Sequence, residues 1–367
     1  MSEAWVDGKP ASLAQAVSAA ATLLRASRAP VVAGMGTDMA GTRAAILLAE
    51  KLGAAFDHMH AAPLLAELDA MRSSGAMLTT PNEVRLRADI VLLVGQGAAS
   101  SPLLPRLLAP AHPSLSLQDG PRSIIALCAG APVPNAQHIP VNTAQLPALL
   151  SALLCALRGK PFGPAPVPAA TITGLADALR AAKFGVALWS AADFDTDPML
   201  PFLINDLVLA LNDTTRFSAL PLAPESNGAG VVQTAAWMTG FPMRSSFARG
   251  YPEHDVWRFD AARMVQAGEA DAALWISAYE NTAPAWAGKV PLVALTGAAT
   301  RFALHPQVRI TIGKPGVDHD GVELSIETAT FVPTTASAPG PLPSVAQVLT
   351  RIDAALGDGA FADGASA

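Results

Sequence analysis

Two short apolar segments that lie far apart in the chain constrain its fold more than any other feature of the sequence. Residues 88–97 read ADIVLLVGQG, and residues 270–277 read ADAALWIS. Both begin with Ala-Asp, and neither shows the apolar–polar alternation of a strand with one exposed face. Continuous apolar runs of this length are typical of strands that are covered on both faces of a parallel sheet.

The residues that follow the two segments are also alike. Each segment is followed by a short Ser/Thr-Ala/Pro turn, a second apolar strand and a shorter third strand, at 100–102, 124–130 and 138–142 in the first copy and at 282–284, 292–298 and 308–313 in the second. This self-similarity predicts one unit that occurs twice. Because helical patterns alternate with the strands, we predict an α/β fold with two tandem Rossmann-like parallel-sheet domains and a C-terminal helix.

Proline-rich segments indicate where the domains divide. Residues 159–168 read GKPFGPAPVP, which excludes a helix or a central strand because proline lacks the N–H donor and fixes φ. Residues 333–343 form a second such segment. We therefore predict a first Rossmann-like domain at 1–160, a second at 161–332, and a linker, helix and flexible tail at 333–367.

Several local patterns carry expectations about single elements. Ser12 is placed to cap a helix over 13–25, and a strand at 30–34 leads through a glycine-containing turn into a helix that begins near Thr42. The glycine-rich segment 224–253 is predicted to be irregular. Residues 357–367 are small and polar, which predicts a disordered tail.

Composition and charge argue against several classes of protein. The 367 residues are 51% hydrophobic and 15% charged, with a mean hydropathy of +0.34, which favours an exterior partly covered by other chains. The net charge of −6 and the lack of basic runs argue against binding to nucleic acid. The longest apolar run, 146–157, is too short to cross a bilayer, so no membrane association is predicted.

The amino terminus and the cysteines indicate a cytoplasmic protein. Residues 1–7 have neither the basic start nor the apolar core of a signal peptide. The two cysteines, Cys128 and Cys155, cannot build a disulfide framework or a CxxC zinc site.

One pattern permits a dinucleotide-binding interpretation. Gly34 and Gly36 open a helix after a strand, and Asp57 ends the next strand where a ribose-binding acid would stand. Met39 occupies the position of the third glycine, so the fingerprint is incomplete. An NAD- or nucleotide-binding α/β enzyme stays open as an alternative.

Two polar groups are candidate sites of other kinds. His58 and His60 would face the same way on a strand, but zinc needs three or four ligands and no others complete the set. Asp318, His319, Asp320 and Glu323 follow a turn, where they are either solvated or part of a binding site. No nucleophile elbow or phosphate-binding loop occurs. We predict no catalytic and no metal-binding residue in this chain.

Five further segments carry a resemblance to a known family. They are EVRLRAD at 83–89, NGAG at 227–230, WMTGFP at 237–242, FARGYP at 247–252 and LPSVAQVL at 342–349. In this order they resemble the B subunit of formylmethanofuran dehydrogenase, a chain of the molybdopterin oxidoreductase family, over about residues 13–352. The resemblance implies domains of the molybdopterin oxidoreductase type. It also implies tungsten or molybdenum on two pterin guanine dinucleotides, beside an iron–sulfur cluster.

The chain departs from this family in its sulfur content. A [4Fe–4S] cluster normally takes four cysteine thiolates, whereas this chain has two cysteines and none in its first 24 residues. That departure is similar to the aerobic relatives, the four-subunit formyltransferase/hydrolase complexes of methylotrophs. There, the resemblance implies, the formyltransferase (D) subunit transfers formyl from tetrahydromethanopterin to a methanofuran-type carrier, and the zinc amidohydrolase (A) subunit releases formate.

Taken with the missing cysteines, the resemblance implies a non-catalytic, structural B subunit. Its expected partners are the A, C and D subunits, with a dimer of such heterotetramers as one arrangement. No cofactor is expected in this chain, and zinc and the carrier are expected in the partners. An active molybdopterin-dependent dehydrogenase chain stays open as the alternative.

If a vestigial pterin cleft exists, it is expected between the two halves, because ligands of doubly wound folds bind at the carboxyl ends of strands. The candidate residues are Gly34, Gly36, Gly95, Asn227, Thr239, Gly240, Lys314 and His319.

Overall fold

The computed structural model describes residues 3–190, 193, 199–222, 226–325 and 328–357. The first two residues of the segment 224–253 and the tail 358–367 lie outside the described residues. The chain divides into two compact units. Unit 1 comprises residues 1–61, 225–324 and 331–367, and unit 2 comprises residues 62–224 and 325–330.

The elements, in chain order, fall into three groups. The first group is β1 (Ala4–Val6), β2 (Lys9–Ala11), α1 (Leu13–Arg25), β3 (Pro30–Gly36), α2 (Met39–Leu52) and β4 (Ala55–Phe56). The second is α3 (Ala61–Ser74), α4 (Pro81–Arg87), β5 (Ile90–Val94), α5 (Gln96–Ala99), α6 (Leu104–Leu108), β6 (Ser123–Leu127), β7 (Ala136–Ile139), a 3₁₀ turn (Thr143–Gln145), α7 (Leu146–Leu157), α8 (Ala169–Ala181), β8 (Gly185–Trp189), α9 (Leu200–Leu211) and β9 (Phe217–Pro221). The third is α10 (Gly228–Thr239), β10 (Ser245–Ser246), β11 (Glu253–His254), α11 (Ala261–Gln266), β12 (Ala272–Ser277), β13 (Leu292–Thr296), β14 (Val308–Thr311), β15 (Gly321–Ser325), β16 (Thr330–Thr334) and α12 (Val345–Leu356).

Unit 2 is built on a five-stranded sheet with the order β7-β6-β5-β8-β9. All four of its strand pairs are parallel. Side chains of β5 alternate between two cores: Leu92 and Val94 pack with α7, α8 and α9, and Val91 and Leu93 pack with α4 and α6. The prediction that this segment is a strand covered on both faces is confirmed.

Unit 1 is built on a nine-stranded sheet with the order β11-β10-β4-β3-β12-β13-β14-β1-β2. Its central strands from β4 to β14 are parallel, and the short strands at both edges are antiparallel. Val32 and Ile276 face a core with α1, α2, α10 and α12, whereas Val31 and Trp275 face a second core with α11. Strands β15 and β16 form a separate two-stranded sheet.

The units do not divide at the predicted boundary near residue 160. Strand β5 pairs with β8 on the other side of that boundary, and β3 pairs with β12 in the other half of the chain. The two sheets nevertheless share one order, because β14-β13-β12-β3-β4 in unit 1 matches β7-β6-β5-β8-β9 in unit 2. The repeat is thus present. Strand β3 of the first half pairs with β12 of the second half, and β8 of the second half pairs with β5 of the first half. Proximity in sequence does not fix the partner of a parallel strand, because the crossover connection needs a dozen or more residues and has no fixed upper length.

Two further expectations differ from the structure. The predicted C-terminal helix is present as α12, but it belongs to unit 1 and not to a separate segment 333–367, since Val348, Leu349 and Ile352 are buried in the core against α1 and α2. The segment predicted to be irregular contains α10, in which Val231 and Ala235 are completely buried. Glycines 228 and 230 lower the helix propensity, and packing against the core compensates for it.

Of the local predictions, that for α1 is confirmed and that for α2 differs at its first residue. Helix α1 spans residues 13–25, and Ser12 caps it in a capping box with Gln15. Helix α2 begins three residues earlier than expected, because the carboxylate of Asp38 accepts the N–H of Gly41 and caps it. No helix of the described residues is long and apolar enough to cross a membrane.

The position of α12 in the core predicts a large loss of stability on truncation of its buried side chain. Ile352→Ala is expected to lower the free energy of unfolding by about 2–5 kcal/mol, through lost burial and a residual cavity. Thr350→Ala, on the exposed face of the same helix, is the control and is expected to cost at most about 0.5 kcal/mol. Urea unfolding checks both values, and equal stabilities for the two variants would mean that α12 is only an appendage.

Candidate functional site

The polar residues of unit 1 gather where its parallel strands end. Strand β3 ends at Gly36, and the segments that follow β4, β12 and β14 begin at Asp57, Ala278 and Ile312. The carboxyl ends of parallel strands are the usual place for a ligand in α/β folds. This edge is therefore the candidate site in unit 1.

Gly34 is required by the close packing of the chain at this edge. It has a φ of +82°, and a Cβ atom on it would lie 2.5 Å from the carbonyl oxygen of Ile276. Gly34 thus lets β3 lie against β12, which is a structural reason for its presence. At Gly36 a Cβ atom would lie 3.0 Å from Cε of Met59, the end of a flexible side chain that can move away.

Asp57, the acid of the dinucleotide interpretation, is used within the fold. Its side chain is buried, and Oδ2 accepts the N–H of Ala261 at 3.1 Å, at the start of α11. Nε of Arg244 lies 3.5 Å from the same oxygen. Burial raises the pKa of Asp57 to about 7, although Arg244 and the Ala261 N–H act in the opposite direction. Such an acid is not exposed to a ribose, so the structure gives no support to an NAD site.

His58, His60, Ser226 and Glu280 form a hydrogen-bonded group, here named the histidine–glutamate cluster. Nε2 of His60 lies 2.8 Å from Oε1 of Glu280, and the hydroxyl of Ser226 donates to that same oxygen. The main-chain N–H of His60 donates to Nδ1 of His58 at 3.0 Å, and Nε2 of His58 lies 3.3 Å from the carbonyl oxygen of Ser226. These bonds join the loop after β4 to the loops before α10 and after β12.

The electrostatics of the cluster favour a neutral imidazole at His58 and an ionised carboxylate at Glu280. Burial lowers the pKa of His58 to about 4. Burial alone would raise the pKa of Glu280, but hydrogen bonds from Ser226 and His60 lower it below its usual value. The hydroxyl of Ser226 donates to the Glu280 carboxylate and not to either histidine, so the cluster does not have the serine–histidine arrangement of a catalytic triad.

Asn227 fixes the entry into α10 next to this cluster. Its φ is +57°, its Nδ2 donates to the carbonyl of Thr37 at 2.9 Å, and its Oδ1 accepts the N–H of Leu324 at 3.2 Å. The structure thus brings Asn227 to the segment that directly follows Gly36. Thr239 and Gly240 instead end α10, about 18 Å away along a helix of this length.

Three acids of the turn 314–323 accept hydrogen bonds, from the turn itself and from two other segments of unit 1. Asp318 accepts the N–H of Lys314 at 2.7 Å, Asp320 accepts the N–H of Ala336 at 2.8 Å, and Glu323 accepts the hydroxyl of Tyr279 at 2.8 Å. Nδ1 of His319 lies 2.7 Å from the carbonyl oxygen of Asp320. The Lys314 side chain is exposed. This arrangement accounts for the polar cluster without a ligand.

Gly95 belongs to unit 2, where a carboxylate occupies the turn after β5. The N–H of Gly97 donates to both carboxylate oxygens of Asp193, at 2.6 and 2.9 Å. A Cβ atom on Gly95 would lie 2.5 Å from Oδ2 of Asp193. Burial raises the pKa of Asp193, against the effect of the N–H bonds of Gly97 and Ala98.

Few of the described residues could bind a metal ion or an iron–sulfur cluster. Cys128 is buried at the end of β6, with Sγ 3.6 Å from Nε2 of His138, and burial raises the pKa of its thiol. Cys155 is half-buried in α7. Within the described ranges, no three His, Cys, Asp or Glu side chains are grouped so as to hold a metal ion. A cluster with four thiolate ligands does not fit a chain that has two cysteines.

Three residues of these sites were not predicted as site residues from the sequence. Ser226, Glu280 and Asp193 each follow a strand of a parallel sheet by a few residues. A systematic search for Ser, Asp and Glu just beyond predicted strands would have found them. Their partners would have stayed unknown, since each partner comes from a distant segment.

Comparisons with known proteins give relatives over almost the whole chain. The B subunit of the formyltransferase/hydrolase complex Fhc from Methylorubrum extorquens is 38% identical over 360 residues, covering 95% of this chain and 96% of the relative. The B subunit of the tungsten-containing formylmethanofuran dehydrogenase 2 from Methanocaldococcus jannaschii is 25% identical, covering 86% of this chain and 76% of the relative. No protein-family model matches the chain.

A solved structure is similar as well. One chain in the crystal structure of the formyltransferase/hydrolase complex FhcABCD from Methylorubrum extorquens, in complex with methylofuran, matches with a TM-score of 0.87 and 36% identity. The match covers 96% of this chain and 98% of that chain.

The neutral His58 predicts a pH dependence of stability that a variant can isolate. The unfolded chain binds a proton near the ordinary pKa of 6.5, and the folded chain only near 4, so stability falls as the pH falls through this range. His58→Gln removes this effect. The variant keeps Asp57, whose raised pKa makes stability fall as the pH rises. The stability of the wild type minus that of His58→Gln is therefore expected to fall by about 3 kcal/mol between pH 7 and pH 4.

Urea unfolding at a series of pH values measures this difference. His112→Gln, an exchange at an exposed loop histidine, is the control and is expected to give a difference that stays nearly constant. A constant difference for His58→Gln as well would mean that His58 can be protonated in the folded chain.

Proposed function

Because this chain belongs to the family of formyltransferase/hydrolase complex B subunits, we propose that it is a structural component of such a complex and carries no chemistry of its own. The complex transfers formyl from tetrahydromethanopterin to a methanofuran-type carrier and hydrolyses it to formate, in one-carbon oxidation. Zinc and the carrier are bound by the partner chains. We infer that both parallel sheets descend from Rossmann-like units of the molybdopterin oxidoreductase type.

The small number of cysteines is the observation that carries this proposal. The relative from Methanocaldococcus jannaschii is a tungsten-containing enzyme, and its reaction is a redox reaction that needs a path for electrons. With Cys128 and Cys155 as its only cysteines, this chain cannot ligate a [4Fe–4S] cluster by itself. A pterin-bound metal without that path would have no electron donor or acceptor.

The acidic groups at two turns support the same proposal. Oxyanions such as a pyrophosphate bind best to free main-chain N–H groups at glycine turns and helix N-termini. At the turn after β5 the N–H of Gly97 is already bonded to Asp193, and at the start of α2 the N–H of Gly41 is bonded to Asp38. Each carboxylate both occupies the N–H group and would repel a phosphate. Two positions at which a dinucleotide phosphate could bind are thus filled by the chain itself.

Exposed aromatic residues support the role within a larger complex. The segment 237–257, here named the aromatic segment, has Trp237 63% exposed and Trp257 71% exposed, and Phe241, Tyr251 and Val256 are exposed as well. Large exposed apolar groups, and Trp and Tyr above all, mark protein–protein interfaces. We propose that this segment of unit 1 contacts a partner chain.

Purification of the complex from the native cell tests the proposal directly. A tagged copy of this chain is expected to co-purify with a formyltransferase and a zinc amidohydrolase, identified by mass spectrometry. Metal analysis of the purified complex is expected to give zinc, with tungsten and molybdenum far below one atom per chain. One atom of tungsten or molybdenum per chain would identify a working redox enzyme and overturn the proposal.

The aromatic segment can be tested through assembly. Trp237→Ser combined with Trp257→Ser is expected to reduce the recovery of partner chains by about 10-fold or more, since interface tryptophans often contribute 2 kcal/mol or more. Folding is expected to change by at most about 1 kcal/mol, because both side chains are mostly exposed.

Leu47→Ala, an exposed apolar residue on α2, is the matched control for lost apolar surface. Recovery of the partners is measured from pull-downs of equal amounts of folded chain. Full recovery by the double tryptophan variant would place the interface elsewhere on the chain.

A further inference from the structure

The two Ala-Asp dipeptides of the sequence repeat stand at equivalent places in the two sheets. Asp89 directly precedes β5, and Asp271 directly precedes β12. Strands β5 and β12 hold the same position in the order that the sheets share, and each pairs in parallel with a strand from the other half of the chain. Neither aspartate belongs to the sites described above, so both need another explanation.

In unit 2 the carboxylate of Asp89 binds the two residues that directly precede β8. It accepts the N–H of Lys183 at 2.8 Å and the N–H of Phe184 at 3.3 Å. The N–H of Asp89 in turn donates to the carbonyl oxygen of Phe184 at 3.1 Å. Asp89 is only 4% exposed, so these N–H groups replace the water that a carboxylate would otherwise bind.

Asp271 makes the corresponding bonds in unit 1, with the two residues that directly precede β3. Its carboxylate accepts the N–H of Arg28 at 2.9 Å and that of Ala29 at 3.0 Å. The N–H of Asp271 donates to the carbonyl oxygen of Ala29 at 3.3 Å. The hydroxyl of Ser27 is a further donor to the carboxylate, and Asp271 is an exposed residue. The same positions relative to the two strands are thus joined in both units.

The strands themselves carry little information about their register. Every residue of β5 (IVLLV) and β8 (GVALW) is buried, and so is every residue of β3 (PVVAGMG) and β12 (AALWIS). When both faces of a strand are apolar, a shift along its partner still places apolar side chains in the core. A polar group at the start of the strand can define the register that the apolar pattern leaves open.

A shift of either pair would separate the aspartate from its N–H donors. At Asp89 the shift would leave a buried carboxylate and the N–H of the buried Phe184 without partners, which is strongly unfavourable. At Asp271 water can replace part of the lost bonding, because this residue is exposed. The penalty for a wrong register is therefore present in both units and larger in unit 2.

We propose that Asp89 and Asp271 are register clasps, a conformational device that occurs once in each copy of the repeat. Asp89 fixes the register of β5 with β8, and Asp271 fixes that of β12 with β3. Each clasp joins one half of the chain to the other, so both are needed for the two halves to form their common sheets. The clasps do not depend on the proposed function, because they are tested within this chain and not through its partners or metals.

Hydrogen–deuterium exchange measured by mass spectrometry on the full chain, purified with the partner chains that accompany it, tests the proposal. Asp271→Ala is expected to raise the exchange rate by about 10-fold or more at Arg28 and Ala29, through the loss of bonds to a charged acceptor. The rate is expected to rise along β3 as well, since a strand that slides along its partner breaks the whole ladder. Residues 183–189 are expected to exchange as in the wild type.

Asp89→Ala is expected to give the reverse result, so each variant is a control for the other. Exchange then rises over residues 183–189 and stays unchanged over residues 28–36. Asp89→Asn keeps one acceptor oxygen and is expected to give a smaller rise in the same segment, which preserves the test if Asp89→Ala does not fold. Asp69→Ala is the matched control, because this half-exposed carboxylate bonds to Arg72 within α3, and both segments are expected to exchange as in the wild type.

Three outcomes would overturn the proposal. Unchanged exchange in Asp271→Ala and in the Asp89 variants would mean that the carboxylates hold nothing. A rise confined to the N–H groups that bond to the carboxylate would mean that each aspartate only caps the residues beside it. A rise of equal size in both segments would mean a general loss of stability without any effect on register.

Discussion

The pairing of β3 with β12 is the interaction on which the arrangement of unit 1 depends. It joins residues 30–36 to residues 272–277 in parallel register, and it brings the first part of the chain into one sheet with the last part. The carboxyl end of this pair is where Gly34 lies against the Ile276 carbonyl. Without this pairing, the loops that hold His58, Ser226 and Glu280 would have no common edge. The histidine–glutamate cluster and the Asn227 bonds to the main chain are consequences of it.

Carboxylates take the place that an anionic ligand could have in this fold. Asp38 caps α2, Asp193 binds the N–H of Gly97, and Glu280 binds Ser226 and His60. Each bond satisfies a donor within the chain, so that the turns are stable without a cofactor. Together with the small number of thiols, these bonds are the basis of the proposal that the chain is a structural subunit.

Exposed aromatic side chains on unit 1 support the proposed place of the chain in a larger complex. The aromatic segment exposes Trp237 and Trp257. Large exposed apolar groups of this kind are typical of protein–protein interfaces. A chain of similar structure lies in the FhcABCD complex that was solved with methylofuran.

Much of the fold could be predicted from local patterns. The capping of α1 by Ser12, the double burial of β5 and the resemblance to the B subunits depend on residues that are near one another in the chain, so the sequence itself determined them. The count of two cysteines is likewise independent of folding, and it excludes a cluster with four thiolates built from this chain alone.

Other features were decided only by the tertiary structure. Three features depend on contacts between distant segments. They are the pairing of β3 with β12 and of β8 with β5, the helical start of α10, and the bond from the N–H of Gly97 to Asp193. A parallel strand presents the same N–H and C=O groups to any partner, so its own residues do not specify the neighbour. Pairing is selected by how well the side chains of both sheets are buried, and that property exists only in the folded chain.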